Sequence, residues 1–265
     1  MMTLAYKKIK INYTTDGQGV PVVFLHGFLE NATMWKSITP HFIDSYQCIT
    51  IDLLGHGKTE CLGYIHTMES MAEAVKAILD HLEISQAIFL GHSMGGYVSL
   101  AFIDLFPELV SGLVLLNSTS YPDSEERKIN RTRAIEVVKK NPDAYTSMAI
   151  ANLFAEENRL VFEKEIEFIK EAASKTSLQG IISALEGMKE RKDYRLILKS
   201  FKKPKVIFAG EKDPVLNYNQ NLEEVKTCKI DLISFDGGHM TYIENKEDFL
   251  ERLQEFFSIK LAVKP

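Results

Sequence analysis

A chain of 265 residues is long enough to bury a full hydrophobic core, as one large domain or as one domain carrying an insertion. With 45% hydrophobic and 25% charged residues it has the balance of an ordinary soluble globular protein. A net charge of −5 argues against nucleic acid or an acidic membrane surface as its partner, so the basic pairs Lys139/Lys140 and Lys202/Lys203 read as solvated faces.

The first stretch, MMTLAYKKIKINY, lacks an apolar run followed by small residues and does not read as a secretory signal. No segment approaches the roughly 18 apolar residues of a membrane span. Ile9, Ile11 and Tyr13 alternate with Lys8, Lys10 and Asn12, which predicts a strand with one wet face, and TTDGQG turns the chain into the next strand. VVFL (22–25), CITI (48–51), AIFL (87–90), LVLL (113–116), KVIFA (205–209) and DLISF (231–235) are continuously apolar, as a parallel sheet covered on both faces demands. Met68, Met71, Val75, Ile78, Leu79 and Leu82 mark an amphipathic helix with Thr67 as its N-cap. Phe249, Leu253 and Phe256 mark another, capped by Asn245. From about Ser120 to Phe201 only helical patterns occur, including Phe162/Ile166/Ile169 and Ile181/Leu185/Met188. The reading is therefore an α/β core in two parts, 1–119 and 202–265, interrupted by an all-helical cap at 120–201. Cys48, Cys61 and Cys228 are odd in number and lack metal-ligand spacing, which points to a reducing cytoplasm and to no metal site.

Gly91-His92-Ser93-Met94-Gly95 places a serine between a buried strand and a buried helix, the pattern of a nucleophile elbow. Small residues at 91 and 95 permit a strained turn that projects the hydroxyl from the carboxyl edge of the sheet, and the Met94 N–H points where an oxyanion would form. Such a serine needs a base. Of seven histidines, His239 follows the last strand directly in a glycine-rich loop. His41 and His81 fall in helical patterns and read as surface residues, His92 adjoins the nucleophile and reads as structural, and His56 and His66 lie in a turn and a loop. Asp213, after the preceding strand in VIFAGEKDPV, is placed to orient the base. Asp236 is nearer in sequence but would have to fold back within three residues, and the position after the sixth strand holds Asn117 and Ser118 in place of an acid. A second oxyanion donor is expected from the N–H of Phe28, in a loop braced by His26.

In these motifs the chain resembles the α/β-hydrolase fold superfamily, of the capped serine hydrolase or esterase type with its helical cap after strand six. The resemblance rests on HGF at 26–28, DLLGHGKT at 52–59, GHSMGG at 91–96, GEKDPV at 210–215 and GGHM at 237–240, in the family's order, and covers roughly 20–118 and 204–258. It implies Ser93 as nucleophile, His239 as general base and then acid, Asp213 as the orienting carboxylate, Phe28 and Met94 as backbone donors, and a structural Asp52. It also implies a mostly parallel sheet with helices on both faces, cleavage of a small carboxylic ester through an acyl-enzyme, and neither metal nor organic cofactor. The partner is then a small-molecule substrate, without nucleic acid or integral membrane contact, and a homodimer stays open. Haloalkane dehalogenases and epoxide hydrolases of this fold carry aspartate where Ser93 stands, and carbon–carbon bond hydrolases often carry an aromatic where Met240 stands. The alternatives on the same triad are a lyase or synthase of the menaquinone-pathway type, which HGFLENATMW resembles, a carbon–carbon hydrolase, or a perhydrolase. Outside enzymes the alternative is a hydrolase-like ligand receptor. Trp35 reads as buried core, and Met148, Leu153 and Phe154 are the cap residues expected to face the pocket.

Overall fold

The computed structural model describes residues 2–260; Met1 and the last five positions of the 202–265 core segment lie outside the described residues. The strands in chain order are β1 (Met2–Tyr6), β2 (Ile9–Asp16), β3 (Val20–Leu25), β4 (Tyr46–Ile51), β5 (Ala87–His92), β6 (Val110–Leu116), β7 (Lys205–Gly210) and β8 (Asp231–Phe235). They form one sheet in the order β1-β2-β4-β3-β5-β6-β7-β8. Pairing is parallel from β4 to β8, and β1 and β2 run antiparallel at one edge. The helices are α1 (Met68–His81), α2 (Met94–Leu105), α3 (Glu125–Lys140), α4 (Pro142–Ala151), α5 (Glu163–Ala173), α6 (Leu178–Lys189), α7 (Arg195–Ser200), α8 (Tyr218–Cys228), α9 (Thr241–Glu244) and α10 (Lys246–Glu255).

The continuous apolarity of the central strands has a direct cause, since alternate side chains enter two different cores. Val23, Leu25, Phe89, Leu113, Leu115 and Ile207 join the core that contains α1 and α2. Val22, Phe24, Ile88, Leu90, Val114 and Phe208 join the one that contains Trp35 and α10. Trp35 is fully buried, 5.4 Å from the Phe24 ring and 5.9 Å from that of Tyr242.

Thr67 caps α1 as expected, accepting from the Ser70 N–H, an interaction worth about 1 kcal/mol. Asn245 stands at the start of α10 but makes no capping bond; its amide instead donates to the Asp236 carbonyl at 3.1 Å. The alternating strand at 9–13 is β2, and it has an unforeseen hairpin partner in β1, whose register pairs Met2 with Tyr13. Between β6 and β7 the described chain contains only helices, α3 to α7 and a short 3-10 turn. No described helix is long and apolar enough to cross a membrane.

Because the parallel strands all point one way, the loops after β3, β5, β6, β7 and β8 emerge at the same sheet edge. That edge collects His26 to Glu30, Ser93, Asn117, Asp213 and His239.

Candidate active site

Ser93 sits between β5 and α2 with φ +48° and ψ −112°, a conformation that non-glycine residues rarely hold without support. The support is steric. A Cβ at Gly91 would lie 2.4 Å from the Gly95 carbonyl oxygen, and one at Gly95 would lie 2.3 Å from that of Leu25, so only hydrogen fits at either place. Ser93 is further held by its own N–H, which donates to the Leu116 carbonyl at 2.9 Å, and by its carbonyl, which accepts from the Ser118 hydroxyl at 2.8 Å.

His239 and Asp213 come together from separate loops. Nδ1 of the ring lies 2.7 Å from Asp213 Oδ2, and both side chains are buried. Asp213 Oδ1 accepts from the Val215 and Leu216 amides at 2.7 and 2.9 Å, and Oδ2 also accepts from Asn117 Nδ2 at 3.2 Å. Burial alone would raise the Asp213 carboxyl, but the facing His239 and these donors hold it below its ordinary value. A carboxylate can only accept, so Nδ1 is the donor to it, and it is Nε2 that is left to take up or release a proton. Among the described residues that buried Nε2 has no hydrogen-bond partner. It belongs to a cavity of about 80 Å³ lined also by Ser93, Phe28, Tyr97 and Leu153. Met94 opens α2, so its N–H is one of the first-turn amides without an intrahelical acceptor, and Phe28 lines the same cavity. The arrangement offers a hydroxyl, an imidazole oriented by a carboxylate, and a helix-start amide around one small cavity.

Asp236 is directed elsewhere, 74% exposed and paired with Lys212 at 2.6 Å. Asn117, where some relatives of this fold carry an acid, supports the Asp213 carboxylate and receives the Thr241 hydroxyl at 2.7 Å. Asp52 binds the Ala32 and Lys58 amides and the Asn12 side chain at 2.8, 2.9 and 2.8 Å, a structural use. His26 braces its loop, accepting the Leu53 N–H at Nε2 (2.9 Å) with Nδ1 against the Gly27 carbonyl (2.7 Å). Burial pushes His56 down to about 3 and His66 down to about 4, so both are neutral packing groups. His66 is also more than a loop residue, for its Nε2 accepts the Leu62 N–H at 3.1 Å. His41 and His81 are exposed. Of the three cap residues expected at the pocket, only Leu153 lines the cavity. Met148 is 55% exposed on α4, and Phe154 is fully buried with its ring 6.1 Å from Phe162. Among the described residues no group of three or more His, Cys, Asp or Glu side chains could hold a metal ion.

One group was not foreseen from the sequence. Glu30 is buried, and its Oε2 lies 2.7 Å from both His92 Nδ1 and the Gly27 N–H, while Oε1 accepts the Tyr242 hydroxyl at 3.0 Å. His92 Nε2 in turn lies 2.9 Å from the His239 carbonyl oxygen. Both ring nitrogens thus face atoms that can only accept, which requires both to carry hydrogen and makes His92 an imidazolium. Burial alone would lower its pKa, yet the Glu30 carboxylate raises it, and His92 reciprocally holds Glu30 below its ordinary value. This buried ion pair ties together the loops that carry Phe28, Ser93 and His239. Arg127 and Arg131 on α3 also line the cavity unforeseen. Their signal was present in the four-residue spacing of Arg127 and Arg131, which puts the two on one face of α3, with Asp123 just ahead of the Ser124 N-cap.

The family model of the alpha/beta hydrolase fold matches residues 20–246. The chain is 28% identical over 254 residues to 3-oxoadipate enol-lactonase 2 of Acinetobacter baylyi, a match covering 93% of this chain and 92% of that one. A shorter match, 41% identical over 101 residues, reaches the uncharacterized hydrolase YugF of Bacillus subtilis and spans 38% of this chain and only 37% of that protein. Among solved structures it is similar to a malate-bound thermophilic esterase from Thermogutta terrifontis, with TM-score 0.88, 28% identity and coverage of 96% of this chain and 95% of the other.

Proposed function

We propose that this chain, which belongs to the alpha/beta hydrolase fold family, is a serine hydrolase that cleaves a small carboxylic ester or lactone through an acyl-enzyme. The observation that carries the reading is the His239–Asp213 bond of 2.7 Å, which leaves a basic Nε2 in the cavity it shares with Ser93. The enol-lactonase and esterase relatives support the same bond class, a lactone being a cyclic ester.

Ser93 Oγ attacks the ester carbonyl as His239 Nε2 takes its proton, and the Phe28 and Met94 amides receive the charge that develops on oxygen. The imidazolium, stabilised by Asp213, returns that proton to the departing alkoxide. Water then attacks the acyl-serine with His239 again as base, the acid leaves, and Ser93 regains its hydrogen. Three free thiols, Cys48, Cys61 and Cys228, suit a reducing compartment, and the cytoplasm is the location we assign.

A fluorophosphonate probe and a chain-length series of p-nitrophenyl esters test the reading together. The wild type should label and turn over short esters, and Ser93→Ala should do neither while keeping its fold. Turnover that survives in folded Ser93→Ala would move the nucleophile elsewhere and overturn the mechanism.

A further inference from the structure

Three guanidinium groups converge on one carboxylate beside the cavity. Asp123, whose side chain is fully buried, is bound by Arg131 through Nε and Nη2, by Arg191 Nη1 at 2.5 Å, and by Arg127 Nε at 3.3 Å. One of the three is accounted for by packing. Arg191 is 2% exposed, lies 4.0 Å over the Tyr97 ring, and donates to the Tyr121 and Met188 carbonyls at 3.1 and 3.2 Å. The other two are different. Arg127 and Arg131 line the same cavity as Ser93 and His239, with side chains 36% and 14% exposed.

Charge does not balance at this wall. Asp123 neutralises one guanidinium, the His239–Asp213 and His92–Glu30 pairs are each balanced internally, and two positive charges remain next to the nucleophile. Arg131, 14% exposed, is largely withdrawn from water while sharing its counter-charge with two other guanidinium groups, which is costly, and a ligand anion lowers that cost. The donors for one exist. Arg127 commits Nε to Asp123 and Nη1 to the Val215 carbonyl (2.8 Å), and Arg131 commits Nε and Nη2, two of the five N–H groups on each planar fork. Such forks match a carboxylate in two-point contact.

We infer that the substrate carries a carboxylate, seated against Arg127 and Arg131 while its ester or lactone carbonyl faces Ser93. The inference rests on the ester-hydrolase reading of the same site. It makes the enzyme selective for half-esters or lactones of short dicarboxylic acids over neutral esters of equal length.

The test compares the mono-p-nitrophenyl ester of glutaric acid with p-nitrophenyl pentanoate, and measures the melting temperature with and without free glutarate. The wild type should favour the anionic ester at least 10-fold in kcat/KM, a preference that weakens with added salt. In Arg127→Gln the ratio of anionic to neutral kcat/KM should fall about 10- to 100-fold, the worth of a charge-assisted hydrogen bond. Arg131→Lys, which keeps a charge on Asp123 and guards against misfolding, should fall in the same direction. Glutarate should raise the melting temperature of the wild type and not of Arg127→Gln. Equal turnover of the two esters, or an unchanged ratio in both variants, overturns the carboxylate site and leaves the esterase reading intact. Glutarate stabilisation without turnover of either ester overturns the esterase reading and leaves the anion site standing. Failure of both measurements overturns both.

Discussion

Glu30→Gln keeps the size of the side chain and removes only its charge, so it isolates the contribution of the buried ion pair. The Oε2 position must accept from both the Gly27 N–H and His92 Nδ1, at 2.7 Å each. With an amide oxygen there, that position and the His239 carbonyl are both served only if His92 stays an imidazolium with no counter-charge. If the ring is neutral instead, either the Glu30 side or the His239 carbonyl loses its donor. Removing one partner of a buried pair costs about 3–5 kcal/mol. Retaining the Gly27 and Tyr242 bonds returns about 1 kcal/mol, so we expect a loss of about 2–4 kcal/mol, or roughly 5–15 °C in Tm for a chain of this size. The pH dependence has a definite sign. His92, raised from an ordinary 6.5, gives stability that is full below that value and lost as pH rises through its folded pKa. Glu30, lowered from an ordinary 4.5, gives stability present above that value and lost as pH falls through its folded pKa. The wild-type advantage over Glu30→Gln should therefore be widest between about pH 4.5 and 6.5 and narrow on either side. Urea unfolding followed by tryptophan fluorescence reads it locally, since the sole tryptophan, Trp35, lies 5.9 Å from the Tyr242 ring. A loss below about 1 kcal/mol with no dependence on pH would show that His92 is neutral and refute the argument.

Two further outcomes follow from the site. Asp213→Asn should lower kcat about 10⁴-fold on an activated ester by favouring the wrong imidazole tautomer, whereas Asp236→Asn, at an exposed carboxylate paired with Lys212, should lower it less than about ten-fold; steady-state kinetics on folded variants decide between them. Leu153→Ala should shift chain-length preference because that side chain lines the cavity, while Met148→Ala, at a side chain 55% exposed, should leave the preference where it was.

What could be read before folding was whatever is written locally. Ser93, His239, Asp213 and Phe28 each follow a short apolar strand, so strand end and residue type suffice to nominate them. Glu30 could not be read that way, because its meaning depends on His92 and Tyr242, which approach it only once β3, β5 and β8 lie in one sheet. Arg127 and Arg131 were hidden for another reason. In a helix crowded with charge they look like a solvated face, and only the packing of α3 over the cavity distinguishes them. The cap helices were recognisable by period but not by phase, which is why Met148 and Phe154 were expected at the pocket that only Leu153 reaches. β1 went unseen because MTLAY, mostly exposed, becomes a strand through its pairing with β2.

The Glu30 hub also says something about the order in which this molecule comes together. Its bonds close sequence separations of 62 residues to His92 and 212 to Tyr242, and His92 reaches across 147 to His239. Loops of that length form after the local strand and helix contacts, and a carboxylate and an imidazolium surrender their water only when every partner is in place. The pair is therefore expected to close in the final consolidation, after the folding transition state. Weakening it should then accelerate unfolding while leaving the folding rate nearly untouched, so that contacts which align the machinery also lengthen the life of the folded molecule.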